Sequence, residues 1–281
     1  NFDECFRKAG AALKIAKETD STRVRHFHHS MIQKAELEMR MRSQLEHAIE
    51  QQSFTICYQK KIDIHSGEIT GVEALARWHS EEFGHVSPAV FVPLIRKSQL
   101  MIPFTQAIVD IIFSEIPQLH KKLGGQIPVS INTSPLFFLK PGFIEYITDK
   151  IAQAGITPQL ITLEITEDVF IENISRIRDL ISELNHHGIN IALDDFGKGF
   201  SSIYYISHIQ FNELKVDKSF IDEIVDNPKS LGVFASICDF AATLGYKTVA
   251  EGVETKEQVE KIKQTRCRVV QGYYFSRPEP L

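Results

Sequence analysis

The chain has 281 residues, 43% of them hydrophobic, with 31 basic side chains against 36 acidic ones and a formal charge of -5. That apolar content supports one large core, or one large domain with an appendage. The mildly acidic balance and the scatter of basic residues exclude a global basic field of the kind that binds duplex nucleic acid.

Phe2, Phe6, Ala9, Leu13 and Ala16 fall at helical spacing and predict an amphipathic helix that needs a partner. A polar, basic stretch, KETDSTRVRHFHHS, follows. Its histidines, His26, His28 and His29, read as a solvated turn or docking patch rather than a metal site. The charged run MIQKAELEMRMRSQLEHAIEQQ predicts a connecting helix. From Phe54 onward, short runs rich in β-branched and aromatic residues alternate with helical patterns. The predicted strands are FTICYQKKI, ITGVEALARW, PVSINTS, LITLEIT, NIALDDF, ELKVDK, KTVAEGV and RVVQGYYF. The predicted helices are Ala89–Ser98 with Pro103–Lys122, Gly142–Ala154, Glu172–His186, Lys229–Leu244 and Lys256–Gln264. Ile108–Ile116 is expected to pack on the barrel exterior, and His186 and His187 stand at a helix end where they offset the dipole.

Eight strands with helices between them predict an α/β fold, a TIM-like (β/α)8 barrel, which typically takes about 250 residues. An open doubly wound sheet is the alternative. Only HSGE joins the first two strands, whereas parallel neighbours need a crossover of about a dozen residues or more. The first strand is therefore expected to run antiparallel to the second. The 4 cysteines, Cys5, Cys57, Cys238 and Cys267, form no CxxC pair, which argues against zinc and disulfide frameworks and fits a reduced, cytoplasmic setting. No apolar run has the length of a membrane span, and no signal peptide is visible. The first residue is Asn, inside a helical pattern, so the chain reads as a piece of a longer protein, whose other segments remain free to tether it to the inner membrane.

Six of the strands carry an acid or amide in or just after an apolar run: Glu73, Asn132, Glu164, Asp194 with Asp195, Glu251, and Gln271. Lys215 and Asp217 occupy a seventh, in LKVD. One such acid alone is ordinarily a solvated loop residue or a helix cap. Recurrence at the same place on successive strands is different, because the carboxyl ends of parallel barrel strands converge on one face. Clustered there, carboxylates either take up protons or bind cations. Oxygen donors without Cys or His suit magnesium, manganese or calcium. The carboxylates outnumber what one magnesium takes, so two ions are expected, a standard device for phosphodiester cleavage.

The motif EALARW (Glu73–Trp78) resembles the signature of the EAL domains, bacterial phosphodiesterases acting on cyclic di-GMP. SINTS around Asn132, LEITE ending at Glu167, DDFGKGFSS, LKVD, AEGVE and VQGYYFSRP follow in the family's order. The resemblance covers roughly Gln44 to the C-terminus. It implies an eight-stranded barrel with an antiparallel first strand, and hydrolysis of cyclic di-GMP to linear pGpG with two divalent cations, Mg2+ or Mn2+. By the same resemblance, Glu73, Asn132, Glu164 and Asp194 hold the first metal. Asp194 bridges to the second, which Asp195 and Glu251 complete, and Glu251 accepts the water's proton. Lys215 positions the attacking water. Gln59, Arg77, Asp217, Glu254 and Gln271 are implied substrate contacts, and Glu167 supports the loop after Asp195. The family also implies a homodimer, and DECFRKAGAALKIAK resembles the last helix of a GGDEF domain. Residues 1–35 are then the remnant of that domain and a linker, residues 36–281 are the EAL barrel, and further GGDEF and sensory domains are expected upstream in the parent.

The departures from the family pattern are Lys198 where a small residue, often threonine, is usual, Phe200 for tyrosine, Lys60 for the proline of YQP, and Arg96 and Gln99 where glutamate and glycine are common. Lys198 is expected to face solvent or a partner subunit, with Gly197 and Gly199 giving the turn its freedom; a lysine reaching into the carboxylate cluster instead would compete with metal and lower activity. Two rival functions remain open: an EAL domain that binds cyclic di-GMP without cleaving it, and a two-metal hydrolase of another phosphodiester.

Overall fold

A computed structural model describes residues 2–18, 26–171, 174–198 and 206–281. Gly199, Phe200 and the expected helix start at Glu172 lie outside the described residues.

Two helices precede the barrel: α1 (Phe2–Glu18) and α2 (His29–Glu50). Phe2, Phe6 and Leu13 of α1 remain exposed, while Leu45, Ala48 and Ile49 of α2 are buried against the main body. The helix α2 is continuous across residues 35 and 36.

The antiparallel ladder expected of HSGE is present. Strands β1 (Thr55–Asp63) and β2 (Ile69–Ser80) pair from Thr55 opposite Arg77 to Ile62 opposite Ile69. Asp63 makes the short connection possible, because its carboxylate accepts the His65 and Ser66 amides at 2.8 and 3.0 Å. Gly67 then takes a φ of 75°, where a glycine costs nothing.

Parallel strands continue from β2: β4 (Val129–Asn132), β5 (Ile161–Thr166), β6 (Asn190–Phe196), β7 (Glu213–Val216), β8 (Lys247–Ala250) and β9 (Val269–Val270). β9 pairs antiparallel with β1, which also pairs with β2, so the sheet closes. This is the (β/α)8 barrel with its first strand reversed, and the open sheet is excluded. Two short arms were not expected from sequence: β3 (Gly84–Val86) extends the end of β2 as a hairpin, and β10 (Glu279–Pro280) adds to β1.

Helices cover the outside: α3 (Pro88–Lys97), α4 (Met101–Leu123), α5 (Pro135–Phe138), α6 (Phe143–Ala154), α7 (Ile174–His186), α8 (Lys218–Asp222), α9 (Pro228–Thr243) and α10 (Lys256–Ile262). Ile108, Val109, Ile112, Phe113 and Ile116 of α4 are buried against the barrel, as the apolar run predicted. Ser134 caps α5, and Thr255 with Gln258 forms a capping box on α10. The core is a continuous shell of Ile, Leu, Val and Phe between sheet and helices. Among the described residues no helix is long and apolar enough to cross a membrane.

Candidate active site

Polar side chains fill the centre of the barrel where the outer shell is apolar, and each arrives by strand register. Gln59 lies opposite Glu73 on the β1–β2 ladder, Asn132 lies beside Glu164, and Thr166 lies beside Asp194. Glu251 and Gln271 follow β8 and β9 directly. The expected residues therefore do converge on one face.

Lys215 is the hub. Its ammonium is 1% exposed and lies 2.7 Å from Glu164 Oε2, 2.9 Å from Glu251 Oε1, 3.0 Å from Asp194 Oδ1 and 3.5 Å from Glu73 Oε2. Burial opposes its charge, but Asp194, Glu164, Glu251 and Glu73 together hold its pKa well above the ordinary value. The acids respond unequally. Burial pushes Glu251 up to about 8, with Lys215 pulling down and Asp194 and Glu73 pushing up. Glu73 and Asp194 are raised too, mainly by burial, with the Glu164 carboxylate adding to it. Glu164 goes the other way: burial disfavours its charge, but Lys215 and Lys61 outweigh that and hold it down to about 2.

Sequence reasoning missed Lys61. Its ammonium is buried beneath Glu164, donating to Glu164 Oε1 at 3.0 Å, Glu213 Oε1 at 2.5 Å and Ser130 Oγ at 2.8 Å. Period-two alternation along β1 is the signal that finds it, since Lys61 shares the inward face of Gln59. Amides complete the interior. Asn132 Nδ2 donates to Glu73 Oε1 at 2.8 Å, and Gln271 Nε2 donates to Glu73 Oε2 at 2.5 Å and to Gln59 Oε1 at 3.0 Å. Gln271 Oε1 is buried, and no described group donates to it.

The two aspartates sit in an irregularity of the β6–β7 ladder, where register shifts between Leu193 and Phe196. Asp195 has φ 56°, a left-handed conformation that Asp tolerates better than most residues. The bulge turns Asp194 inward, where it is 8% exposed, and leaves Asp195 at the rim. Single carboxylate oxygens of Asp194, Asp195 and Glu251 lie within 4.8 Å of one another. This set of hard carboxylate donors fits a divalent cation. The loop that follows is held by Glu167, whose Oε1 accepts the Gly197 amide at 2.9 Å.

Lys198 departs from expectation. Rather than leaving the carboxylates for solvent or a partner, its ammonium bridges Asp195 Oδ1 at 2.6 Å and Asp217 Oδ2 at 2.8 Å. The turn brings it back: the Lys198 amide donates to the Asp195 carbonyl at 3.2 Å, so the side chain folds over its own strand end. Asp217 in turn caps α8 by accepting the Ser219 amide at 3.0 Å.

Two cavities flank this centre. One of about 440 Å³ runs past Arg77, Asn132, Glu164 and Thr166 to Phe91 and Phe104. The other, of about 270 Å³, is lined by Gln59, Glu73, Glu251, Glu254, Gln271 and Tyr273. Arg77 donates to the Ala76 carbonyl at 2.9 Å, and Glu254 pairs with Lys218 at 2.5 Å on the rim.

The fold and centre define a β/α-barrel protein with a buried lysine ringed by hard oxygen donors at the carboxyl ends of its strands. Comparison with known proteins narrows this: the EAL domain model matches residues 42–278, and the chain belongs to the EAL-domain family. The Escherichia coli oxygen sensor protein DosP is 31% identical over 280 residues, covering 100% of this chain and 35% of that protein. The cyclic di-GMP phosphodiesterase NbdA of Pseudomonas aeruginosa is 29% identical, covering 99% of this chain and 36% of that protein. Among solved structures, the PaMucR phosphodiesterase in complex with c-di-GMP superposes with a TM-score of 0.79 at 30% identity, covering 86% of this chain and 98% of that one. The EAL enzyme Bd1971 with cAMP and cyclic di-GMP bound gives 0.82 at 29% identity, covering 88% and 67%. The chain thus spans only about a third of the length of the two curated relatives, DosP and NbdA. EAL domains use divalent metals, and the Asp194–Asp195–Glu251 group is where this chain could hold one.

Proposed function

We propose that this domain hydrolyses one phosphodiester bond of cyclic di-GMP, releasing linear pGpG, with two divalent cations, Mg2+ or Mn2+. The observation that carries the reading is the hub: one fully buried lysine in contact with Glu73, Glu164, Asp194 and Glu251, beside the three-carboxylate group.

Glu73, Asn132, Glu164 and Asp194 would hold one cation, and Asp194, Asp195 and Glu251 the other. When bound, such ions polarise the phosphate oxygens and acidify water. The chain's own residues do the rest. Lys215 keeps the acids together and presents its ammonium to the attacking water and to the charge that develops on the phosphate. Glu251, against Lys215, takes the water's proton. Arg77 in the larger cavity receives a phosphate, for which a guanidinium is well shaped. Gln59 and Gln271 orient the substrate from the smaller cavity, where the buried Gln271 Oε1 has no donor among the described residues. Asp217 and Glu254 border it, and Glu167 keeps Asp195 in place through Gly197.

A second reading, a receptor that binds cyclic di-GMP without turnover, draws on the Lys198 ammonium resting on Asp195 and Asp217. Chromatographic assay of pGpG from the purified domain with Mg2+ or Mn2+, with and without chelator, separates the two. Metal-dependent pGpG supports the hydrolase. A folded protein that binds the dinucleotide and releases no pGpG supports the receptor.

A further inference from the structure

The Lys198 ammonium lies where a cation is wanted. Asp195 supplies one oxygen to the three-carboxylate group, and Lys198 Nζ is 2.6 Å from the Asp195 carboxylate. On its other side Nζ is 2.8 Å from Asp217, whose side chain is only 7% exposed. Asp217 is fixed at the start of α8 by the Ser219 amide. The lysine is thus delivered by the turn after β6 and received by a rigid carboxylate at the end of β7.

The turn itself is constrained. Gly197 has φ 98°, and a Cβ there would lie 2.3 Å from Phe220. Asp195 has φ 56°, and the Lys198 amide closes the turn onto the Asp195 carbonyl.

A divalent cation and the Lys198 ammonium are both drawn to the Asp195 carboxylate, and two cations held against it repel one another. We propose that Lys198 is a built-in competitor for the second divalent cation, which must displace it from Asp195 before the Asp194–Asp195–Glu251 site can fill. This rests on the two-metal reading above. The side chain is 55% exposed, so it can swing out without unpacking the core. Lys215 stands beside both proposed sites, but Lys198 touches only the second, which is therefore the one weakened by having to move it. The domain then responds to metal over a higher range than its first site alone would set.

The experiment is a titration of the metal-free domain with Mn2+, followed by the electron paramagnetic resonance signal of free Mn2+, on the unaltered chain, Lys198→Thr and Lys198→Arg. Expected are two sites in each protein, with the weaker one about threefold to tenfold tighter in Lys198→Thr, the scale of a partly exposed ion pair. Lys198→Arg, which keeps the cation, leaves the weaker site weak. Two sites whose affinities do not move in Lys198→Thr, or move equally, overturn the competitor and leave the two-metal reading standing. A chain that binds no Mn2+ with or without Lys198 overturns both.

Discussion

Lys61 and Lys215 grip opposite oxygens of one buried carboxylate: Lys61 Nζ is 3.0 Å from Glu164 Oε1, and Lys215 Nζ is 2.7 Å from Glu164 Oε2. Both ammoniums and the carboxylate are almost fully buried. Breaking one partner out of such a group leaves uncompensated charge, which costs about 3–5 kcal/mol. Lys61→Met strands Glu213 as well, whose Oε1 is 2.5 Å away. The domain should lose stability on that scale in urea unfolding, and Glu213→Gln added to Lys61→Met should recover part of it. A loss below about 1 kcal/mol would show that water reaches the lysine and that the pair is not dry.

Lys215 faces four acids, so its removal has two consequences that separate. Lys215→Met should cut turnover by about 10²- to 10⁴-fold, the range for losing a positioned proton-transfer or charge-stabilising group. It should also lower the melting temperature of the metal-free domain, because Glu73, Glu164, Asp194 and Glu251 then repel one another. Mn2+ should restore more stability to this variant than to the unaltered chain. Calorimetry with and without Mn2+ measures the second effect independently of activity, and equal stabilisation of the two proteins by Mn2+ would contradict it.

The acids also set a pH dependence. Glu251 in the metal-free domain titrates at about 8 against an ordinary 4.5, chiefly because burial disfavours its charge. Between those values the folded state keeps a proton that the unfolded chain has released, so stability falls as pH rises through that window. Glu73 and Asp194, also raised, act in the same sense. Glu164 has the opposite sign: held at about 2, it contributes stability above 4.5 that is lost as pH falls toward 2. Melting temperature in chelator should therefore peak near about pH 5 and decline toward about pH 8.5. Mn2+, by replacing the proton, should raise it more at the alkaline end. Glu251→Gln should flatten the slope. A steady rise with pH in chelator would reverse the assignment.

The barrel was legible because β-branched runs and helical periods alternate so regularly, and the reversed first strand because HSGE is too short for a crossover. The acids were legible because each lies in or just after an apolar run. Lys61 was not. A lysine inside a strand ordinarily reaches solvent, and it is buried here only because Glu164 and Glu213 arrive from 103 and 152 residues away. The arms β3 and β10 are too short for any pattern of their own and exist by pairing with longer strands. Lys198 was only half legible for a related reason: its contact with Asp217 depends on the register shift at Asp194–Asp195, which no residue type announces.

That bulge depends on the residue after it. Gly197 takes φ 98°, a region that favours glycine, and a Cβ there would meet Phe220 at 2.3 Å. Phe220 is carried on α8 and packs, partly buried, against the core, so its ring must shift to admit the Cβ. Gly197→Ala should push the turn off β6 and break the Gly197 amide bond to Glu167, so that Asp195 is no longer held in place. Because the strain lies at the rim, global stability should fall by only about 1–3 kcal/mol, while the weaker of two metal affinities and turnover fall together. Glu167→Gln keeps an acceptor for the same amide and should lose far less than Glu167→Ala. Urea unfolding beside Mn2+ titration distinguishes the cases: a Gly197→Ala variant with unchanged metal binding would show that the turn does not hold Asp195 in place.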